Sequence, residues 1–282
     1  KDKEGNTLVK EERRFATFLP DELSVHAEVD CDTRYRGIYE VPIYRMNVKI
    51  NGAFAQPDFS AWDFEPKKIL WERANLAVRI SDVRAITDQA LLTWDGKDIH
   101  FLPGVGEYGG GYTGIHADLN ARFSQDRVSF SFPLQINGSQ GVFFAPLGSD
   151  TNVEVVSNWQ APSFQGEWLP TNRTFDENGF DAVWNIPYLG RGYGQAWTNH
   201  YNQNEHMDRK IGSSLFGVQF FTPVDHYRMA DRSIKYALLF VVLTFATLWL
   251  FEVLVQVRIH PIQYLFVGVG MCLFYLLELS LA

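Results

Sequence analysis

The chain has 282 residues, of which 46% are hydrophobic, and its formal net charge is −8. This length is sufficient for one or two domains with their own cores. The acidic balance argues against a nucleic-acid partner, which needs a concentrated basic surface, and against electrostatic docking on anionic lipid. The net charge belongs to residues 1–232, because the charged side chains after Ser233 cancel. These side chains are Lys235, Glu252, Arg258 and Glu278.

The chain contains two cysteines, Cys31 and Cys272, which are too few for a disulfide framework and do not lie at metal-ligand spacing. Asp30 and Asp32 flank Cys31, and their negative charge raises the pKa of a thiol. We therefore interpret Cys31 as incidental. The first residues are charged or polar and contain no apolar stretch of the kind found in a signal peptide.

Alternation of apolar and polar residues with period two dominates residues 1–224. Burial of one strand face in this manner is typical of antiparallel sheets that have one solvated side. The pattern predicts a mainly β fold, a large antiparallel β-sandwich-like domain. The clearest alternating runs are 23–30, 44–50, 128–136, 180–186 and 216–220.

Turn-forming dipeptides fit this interpretation. Asp95-Gly96, between Leu91–Trp94 and Ile99–Leu102, is a strong hairpin signal because both residues tolerate positive φ. Asn51-Gly52 and Asn137-Gly138 each end an alternating run, and both runs close in Ile-Asn-Gly. The repeat suggests a duplicated β-module with a boundary near residues 95–125.

Helix is predicted sparsely in this domain, in short pieces at 66–74 and 82–90. The glycine-rich stretch Gly104–Tyr112 lacks the Gly-Lys-Ser/Thr of a phosphate loop, so we predict a surface loop there. Residues 189–210 are predicted as a second long loop, a feature that is uncommon without a use or disorder. Both binding through their aromatic side chains and a merely solubilising role remain open for the two loops.

The sequence offers no catalytic motif. It contains neither a Gly-x-Ser-x-Gly elbow nor a Ser-x-x-Lys pair, and the spacing of His200 and His206 is not that of a zinc helix. Asp58 and Asp63 could be judged as paired carboxylates only from their geometry. The histidines are scattered along the chain, at His100, His116, His200 and His206. We therefore predict no catalytic, cofactor-binding or metal-ligating residue and no cofactor.

Two apolar runs follow a short linker at 225–235. The first, 236–255, has about the twenty residues needed to cross hydrocarbon, and the second, 264–282, follows a polar break containing Pro261. We predict a transmembrane helical hairpin, since two such runs in succession are rare in soluble cores. Because the chain begins without Met and ends inside the second run, we expect a larger polypeptide with that second helix truncated.

The two carboxylates of the hairpin have different expected roles. Glu252 is near the end of the first run and is expected at the interface, whereas Glu278 is deeper and is expected to pair with a further helix. The positive charges before the hairpin weakly favour a cytosolic domain, but large domains are translocated regardless of charge. These residues alone leave the orientation open.

Several segments resemble the family of CreD-type inner-membrane proteins, from about Phe18 to the end of the chain. The most specific are Thr-Pro-Val-Asp-x-Tyr at 222–227 and His-Pro-Ile-Gln-Tyr at 260–264. Further matching segments are Gly37–Tyr39, Ser81–Ile86, Ser157–Trp159, Pro162–Gly166, Leu169-Pro170, Gly179-Phe180, Asp231–Leu239 and Phe274–Leu277.

The resemblance implies an inner-membrane protein of Gram-negative bacteria with an amino-terminal helix, a large periplasmic domain and a carboxy-terminal helical bundle. This chain would be the periplasmic domain and the first two bundle helices. The family is associated with a two-component regulon, the response to β-lactam antibiotics and colicin tolerance, and it supplies no catalytic motif to carry over.

We therefore expect a non-enzymatic envelope protein. Its partners would be the lipid bilayer, further transmembrane helices of the full-length protein, and an envelope protein or cell-wall ligand bound by the β domain; nucleic acid is not expected. The alternatives are a periplasm-facing cell-wall hydrolase and part of a membrane transporter.

Overall fold

The computed structural model describes residues 14–36, 39–60, 62, 68–106, 112–120, 127–198, 203–221, 226–256 and 258–281. The chain forms two compact units, 1–222 and 223–282. The strands are β1 (Ala16–Phe18), β2 (Glu22–Arg36), β3 (Tyr39–Ala55), β4 (Asn75–Arg79), β5 (Leu91–Trp94), β6 (Lys97–His100), β7 (Leu102–Pro103), β8 (Gly114–Asp118), β9 (Arg127–Ser139), β10 (Gly141–Phe144), β11 (Asp150–Ser157), β12 (Pro162–Gly166), β13 (Asn172–Asp176), β14 (Gly179–Pro187), β15 (Ala196–Thr198) and β16 (Phe216–Phe220). The α-helices are α1 (Gln203–Ser213), α2 (His226–Val255) and α3 (Pro261–Leu281).

An eight-stranded sheet forms the centre of the first unit, with the order β13-β14-β11-β2-β3-β9-β5-β6. Strands β2 and β11 pair in parallel, and the other pairings between described strands are antiparallel. The prediction of a mainly β, antiparallel fold is confirmed. The parallel pair is a feature that the alternating pattern did not predict.

One face of this sheet carries the core, because every second residue of its strands is apolar. Two small sheets, β10-β16-β12 and β4-β8-β7, contribute to the same hydrophobic cluster. Trp184 of β14 lies at a junction, with its ring 5.7 Å from that of Phe216 and 5.8 Å from that of Phe164. The opposite face of the large sheet is polar and solvated.

The hairpin predicted at Asp95-Gly96 is present between β5 and β6. Asp95 has φ 48° and Gly96 has φ 73°, the left-handed conformations that a tight hairpin turn requires. The bounds of the first strand agree with the sequence, and the second begins earlier, at Lys97.

The two Asn-Gly dipeptides are not turns, which corrects the sequence-based prediction. Gly52 lies within β3 and Gly138 within β9, and the two strands pair with each other. A Cβ at Gly52 would overlap the ring of Phe130, and a Cβ at Gly138 would overlap the ring of Tyr44. Each glycine therefore makes room for an aromatic side chain of the opposite strand.

The short helices are also corrected. Within 82–90 the helix is a single 3-10 turn, Val83–Ala85, capped by the Asp82 side chain, which accepts from the main-chain nitrogen of Arg84. It ends because Ile86 bridges to Ile136 of β9. In the described part of 66–74 helix is limited to Trp71–Arg73, and residues 66 and 67 lie outside the described residues.

The predicted loop 189–210 contains a strand and a helix instead. Its residues 196–198 form β15, which pairs with β1, and α1 begins at Gln203. This helix has no apolar stripe, and tertiary contacts fix it: Asp208 accepts from the Arg79 guanidinium at 2.5 Å and from the Tyr112 hydroxyl at 2.6 Å. A polar helix held in this way leaves no hydrophobic periodicity in the sequence.

The second unit contains α2 and α3. Lys235–Val255 is apolar over 21 residues, with a mean hydropathy of 2.4, and among the described helices it alone is long and apolar enough to cross a membrane. Pro261–Leu277 is a shorter apolar helix. The rings of Phe245 and Tyr264 stack at 6.1 Å, and Gly268 lies against Phe245, so the two helices pack closely.

The parallel seam between β2 and β11 is closed by Asn158. Its side-chain oxygen accepts from the nitrogen of Cys31 at 2.7 Å, and its amide nitrogen donates to the Cys31 carbonyl at 3.1 Å and to Asp30 at 2.8 Å. Trp159 then donates its indole N–H to the carbonyl of Phe221, just beyond β16. The segment 157–159 thus ties the central seam to the end of β16.

Replacement of Asn158 tests this closure. Asn158→Ala should lower the free energy of unfolding by about 1–3 kcal/mol, because it leaves both main-chain groups of Cys31 without a protein partner. Asn152→Ala is the matched control, since the side-chain amide of Asn152 bonds that of Asn185 on the exposed face. Chemical denaturation of the detergent-solubilised protein, followed by tryptophan fluorescence, measures both; equal losses would contradict a special role for Asn158.

Candidate functional site

A depression of about 400 Å³ lies on the polar face of the large sheet. Residues of β2, β3, β11, β13 and β14 line it, together with Asn158 and the turn between β13 and β14. Its four carboxylates belong to Glu28, Asp30, Asp176 and Asp181, and no Lys or Arg is among the described residues that line it. We call this feature the acidic depression.

Strand register explains why these residues meet. Val156 of β11 lies opposite both Glu28 of β2 and Asp181 of β14, and Asp181 lies opposite Thr174 of β13. Successive side chains of a strand alternate between faces, so all of these side chains project to the solvated side. Val156 separates two of the acids and forms part of the depression's floor.

Asp181 has an electrostatically unfavourable environment. Its Oδ1 atom is buried and has no hydrogen-bond partner. Burial raises the pKa of this carboxyl above its ordinary value, and the negative charge of Glu154 raises it further, against the opposing effect of His26. The fold therefore disfavours the charge that Asp181 carries at neutral pH.

His26 borders the depression and contacts two acids. Its Nδ1 lies 2.8 Å from a carboxylate oxygen of Glu154, and its Nε2 lies 3.6 Å from Glu28. The hydrogen bond with Glu154 is the main reason that the pKa of His26 is raised, although burial opposes it. Protonated His26 offsets part of the negative charge, and this offset is lost as the pH rises through the raised pKa.

Cys31 lies on the other face of β2, in the core. Burial raises the pKa of its thiol to about 11, and the charge of Asp30 adds to the effect, while a 3.5 Å contact with the Ser157 hydroxyl lowers it. The thiol is therefore protonated at neutral pH. This agrees with the prediction that Cys31 is not a nucleophile, with burial as a larger cause than the neighbouring charge.

The histidines singled out in the sequence do not converge in the described structure. His100 is exposed in β6, and Nδ1 of His116 lies 2.9 Å from the carbonyl of Gly104. His200 lies outside the described residues, and His206 is in α1 but its side chain is not described. Within the described ranges, no three His, Cys, Asp or Glu side chains are placed to hold a metal ion.

The other residues singled out in the sequence are only partly described by the structure. Asp58 accepts from the nitrogen of Ser60, while Asp63 lies outside the described residues, so their pairing stays untested. In the glycine-rich segment, residues 107–111 are outside the described set, and the hydroxyl of Tyr112 bonds Asp208.

Glu252 closes the turn between α2 and α3. One carboxylate oxygen accepts from the nitrogen of Ile259 at 3.3 Å and the other from the Tyr264 hydroxyl at 2.9 Å. Glu278 lies in α3, but its side chain is outside the described residues, so its expected pairing with another helix remains a prediction.

Asp181→Asn should increase the free energy of unfolding at pH 7, because it removes a carboxylate whose charge the fold disfavours. The folded-state pKa of Asp181 lies above the ordinary value of 3.8, so the gain should be full above the folded pKa and vanish as the pH falls below about 4. Thermal denaturation across this pH range measures it, with Glu72→Gln as a control for the loss of one exposed negative charge elsewhere. A loss of stability at pH 7, or an equal gain in the control, would contradict this interpretation.

Among solved structures, an M1 zinc metallopeptidase from Deinococcus radiodurans matches with 9% identity, over 60% of this chain and 39% of its own, at a TM-score of 0.33. A score this low does not indicate a shared fold.

Sequence comparison is more informative. Inner membrane protein CreD of Escherichia coli (strain K12) is 28% identical over 281 residues, which are 99% of this chain and 61% of that protein. The chain therefore spans about three fifths of its curated relative. The family described as inner membrane protein CreD matches residues 1–282 in full. The chain belongs to the CreD family of inner membrane proteins.

Proposed function

We propose that the first unit is an exported domain that binds an envelope component or partner protein through the acidic depression, and that it does so without catalysis. Membership of an inner-membrane family supports association with the bilayer. Maintenance of the cell envelope, including the response to β-lactams that the family resemblance implies, is the setting we propose for this binding.

The observation that carries the proposal is the partly buried carboxyl of Asp181, whose charge the fold disfavours. The buried oxygen has no hydrogen-bond partner, which makes the charge of Asp181 costly, and a cationic ligand group nearby would lower that cost electrostatically. The neighbouring acids Glu28, Asp30 and Asp176 point to a cationic ligand group. Carboxyls whose pKa is shifted by burial and by a neighbouring charge cluster at functional sites, which supports a binding role here.

The local chemistry supports binding more than hydrolysis. Nucleophilic catalysis needs a hydroxyl or thiol beside a base. In the described hydrogen bonds, His26 pairs with Glu154, His116 with the carbonyl of Gly104, and His260 with the main-chain nitrogen of Ile262, so none of these bonds joins a histidine to a hydroxyl or thiol. The thiol of Cys31 is buried. A cell-wall hydrolase remains the alternative, and it predicts turnover of muropeptides.

We further propose that both helices of the second unit cross the membrane and that the β domain is periplasmic. The turn that Glu252 closes would then lie on the cytoplasmic side. The apolar character of Lys235–Val255 and of Pro261–Leu277 supports the two crossings, and the family resemblance supports the orientation.

Cysteine labelling tests this topology. Leu189 is 93% exposed in the β domain, so Leu189→Cys should react with a membrane-impermeant maleimide in intact spheroplasts. Arg258→Cys, in the turn between the helices, should react only after lysis. The native Cys31 is buried, and the wild-type protein supplies the background. The reverse pattern, or labelling of both sites before lysis, would contradict the proposed topology.

Site-specific cross-linking tests the binding role. A photo-reactive amino acid at Asn178, an exposed residue lining the depression, should give a discrete adduct in intact cells. The same residue at position 72 should not, and Asp181→Asn should weaken the adduct at 178. Absence of any adduct specific to position 178, together with turnover of muropeptides by the purified protein, would overturn the proposal in favour of the hydrolase.

A further inference from the structure

Strand β13 forms an open edge of the large sheet. It is the first strand in the sheet order and pairs with β14 alone among the described strands. All of its residues, Asn172–Asp176, are exposed. The strand at the opposite end, β6, contacts β8 of a small sheet. Proteins usually cover or blunt such an edge, because its unpaired main-chain groups invite another strand.

The geometry of the turn identifies the free main-chain groups. Two residues, Glu177 and Asn178, connect the paired residues Asp176 and Gly179, as in a two-residue hairpin. Asp176 and Gly179 are then a hydrogen-bonded pair, and bonding alternates along the antiparallel ladder. The N–H and C=O groups of Arg173 and Phe175 therefore point to the open edge.

The two faces beside this edge differ in chemistry. Phe175 lies on the core side, opposite Phe180; the residue is 54% exposed, and its ring is 6.3 Å from the ring of Phe164. Thr174 and Asp176 lie on the other side, where they line the acidic depression. An added strand would thus meet an aromatic surface on one face and carboxylates on the other.

Distances along the sheet allow both contacts. A strand added to β13 lies about 5 Å from it and roughly 10 Å from β14. A Lys or Arg on the outer face would stand beside Asp176, and its long side chain would extend over Thr174 towards Asp181. Cations on the inner face are disfavoured, because Arg173 shares that face with Phe175.

We propose that the edge of β13 binds an extended peptide segment of alternating basic and apolar residues, contributed by another envelope protein, as an added strand. The proposal rests on the binding function proposed above and names the chemistry of the partner. A second copy of this chain fits less well, because the chain is acidic and β13 itself carries one cation, Arg173, on the wrong face. Main-chain hydrogen bonds would supply affinity, and the outer-face cations would supply selectivity.

Peptide binding to the full chain in detergent micelles tests this proposal. The probe is a fluorescein-labelled peptide of repeated Lys-Val pairs, and the control peptides are its Glu-Val counterpart and a version N-methylated at every residue. Fluorescence anisotropy should show binding of the first peptide alone. Its affinity should fall with rising salt, because the contacts with the depression are electrostatic.

Two pairs of protein variants separate the contribution of main-chain hydrogen bonds from that of the acidic depression. Arg173→Pro removes an outward N–H that β14 does not use, and proline is tolerated in edge strands, whereas Arg173→Ala keeps the N–H. We expect Arg173→Pro to bind about tenfold more weakly than Arg173→Ala, the worth of about one hydrogen bond. Asp181→Asn should weaken binding several-fold, and Glu72→Gln should not.

The outcomes are distinct. Equal binding of the Lys and Glu peptides, equal affinity of Arg173→Pro and Arg173→Ala, or unchanged binding of the N-methylated peptide would overturn strand addition. Self-association that Arg173→Pro abolishes would replace the proposed partner with a second copy. If the peptide fails to bind but cross-linking at Asn178 persists, the strand proposal fails and the proposed function stands; loss of the cross-link as well removes both.

Discussion

The parallel pairing of β2 with β11 is the constraint on which the first unit depends. A parallel pair cannot be closed by a tight turn, so a long stretch of chain must separate its two strands. Here β3 to β10 lie in that stretch, and four of them, β3, β5, β6 and β9, belong to the same sheet before the chain returns as β11. The return places Glu154 beside His26 and Val156 beside Glu28. β14 then adds Asp181 on the far side of β11. Without this seam the carboxylates of β2 and β14 would not share a surface.

The sequence predicted those elements whose signal is local. Alternation located β2, β3, β9, β14 and β16, and the backbone preference of Asp95-Gly96 located a hairpin. The sequence-based prediction was wrong where a long-range contact determines the local structure. Gly52 and Gly138 were predicted as turn residues, but each lies within a strand and makes room for an aromatic ring of the paired strand. Helix α1 was missed because Asp208 is held by Arg79, far away in the sequence. The acidic depression could not be predicted for the same reason, since its walls come from strands that only the register brings together.

The acids on this face lower the stability of the fold but favour the binding of a cationic group. Charges on a solvated sheet normally cost little, because water and counterions screen them. Asp181 is the exception: one oxygen is out of reach of water and has no partner, while Glu154 lies near enough to oppose its ionisation. His26 offsets part of this charge only when protonated. A cationic ligand group would complete the electrostatics that the fold leaves unbalanced.

Anchoring in the membrane lowers the affinity that such a site needs. A short added strand with one or two bridging cations makes few main-chain hydrogen bonds, and each contributes only about 1 kcal/mol. Such an interaction is weak between freely diffusing molecules. Under the proposed topology, a domain tethered by α2 and α3 meets partners at the same membrane surface, and a second contact with the same partner would raise the effective concentration of the binding segment. An exposed edge beside an acidic surface can then bind its partner selectively without binding other envelope proteins non-specifically.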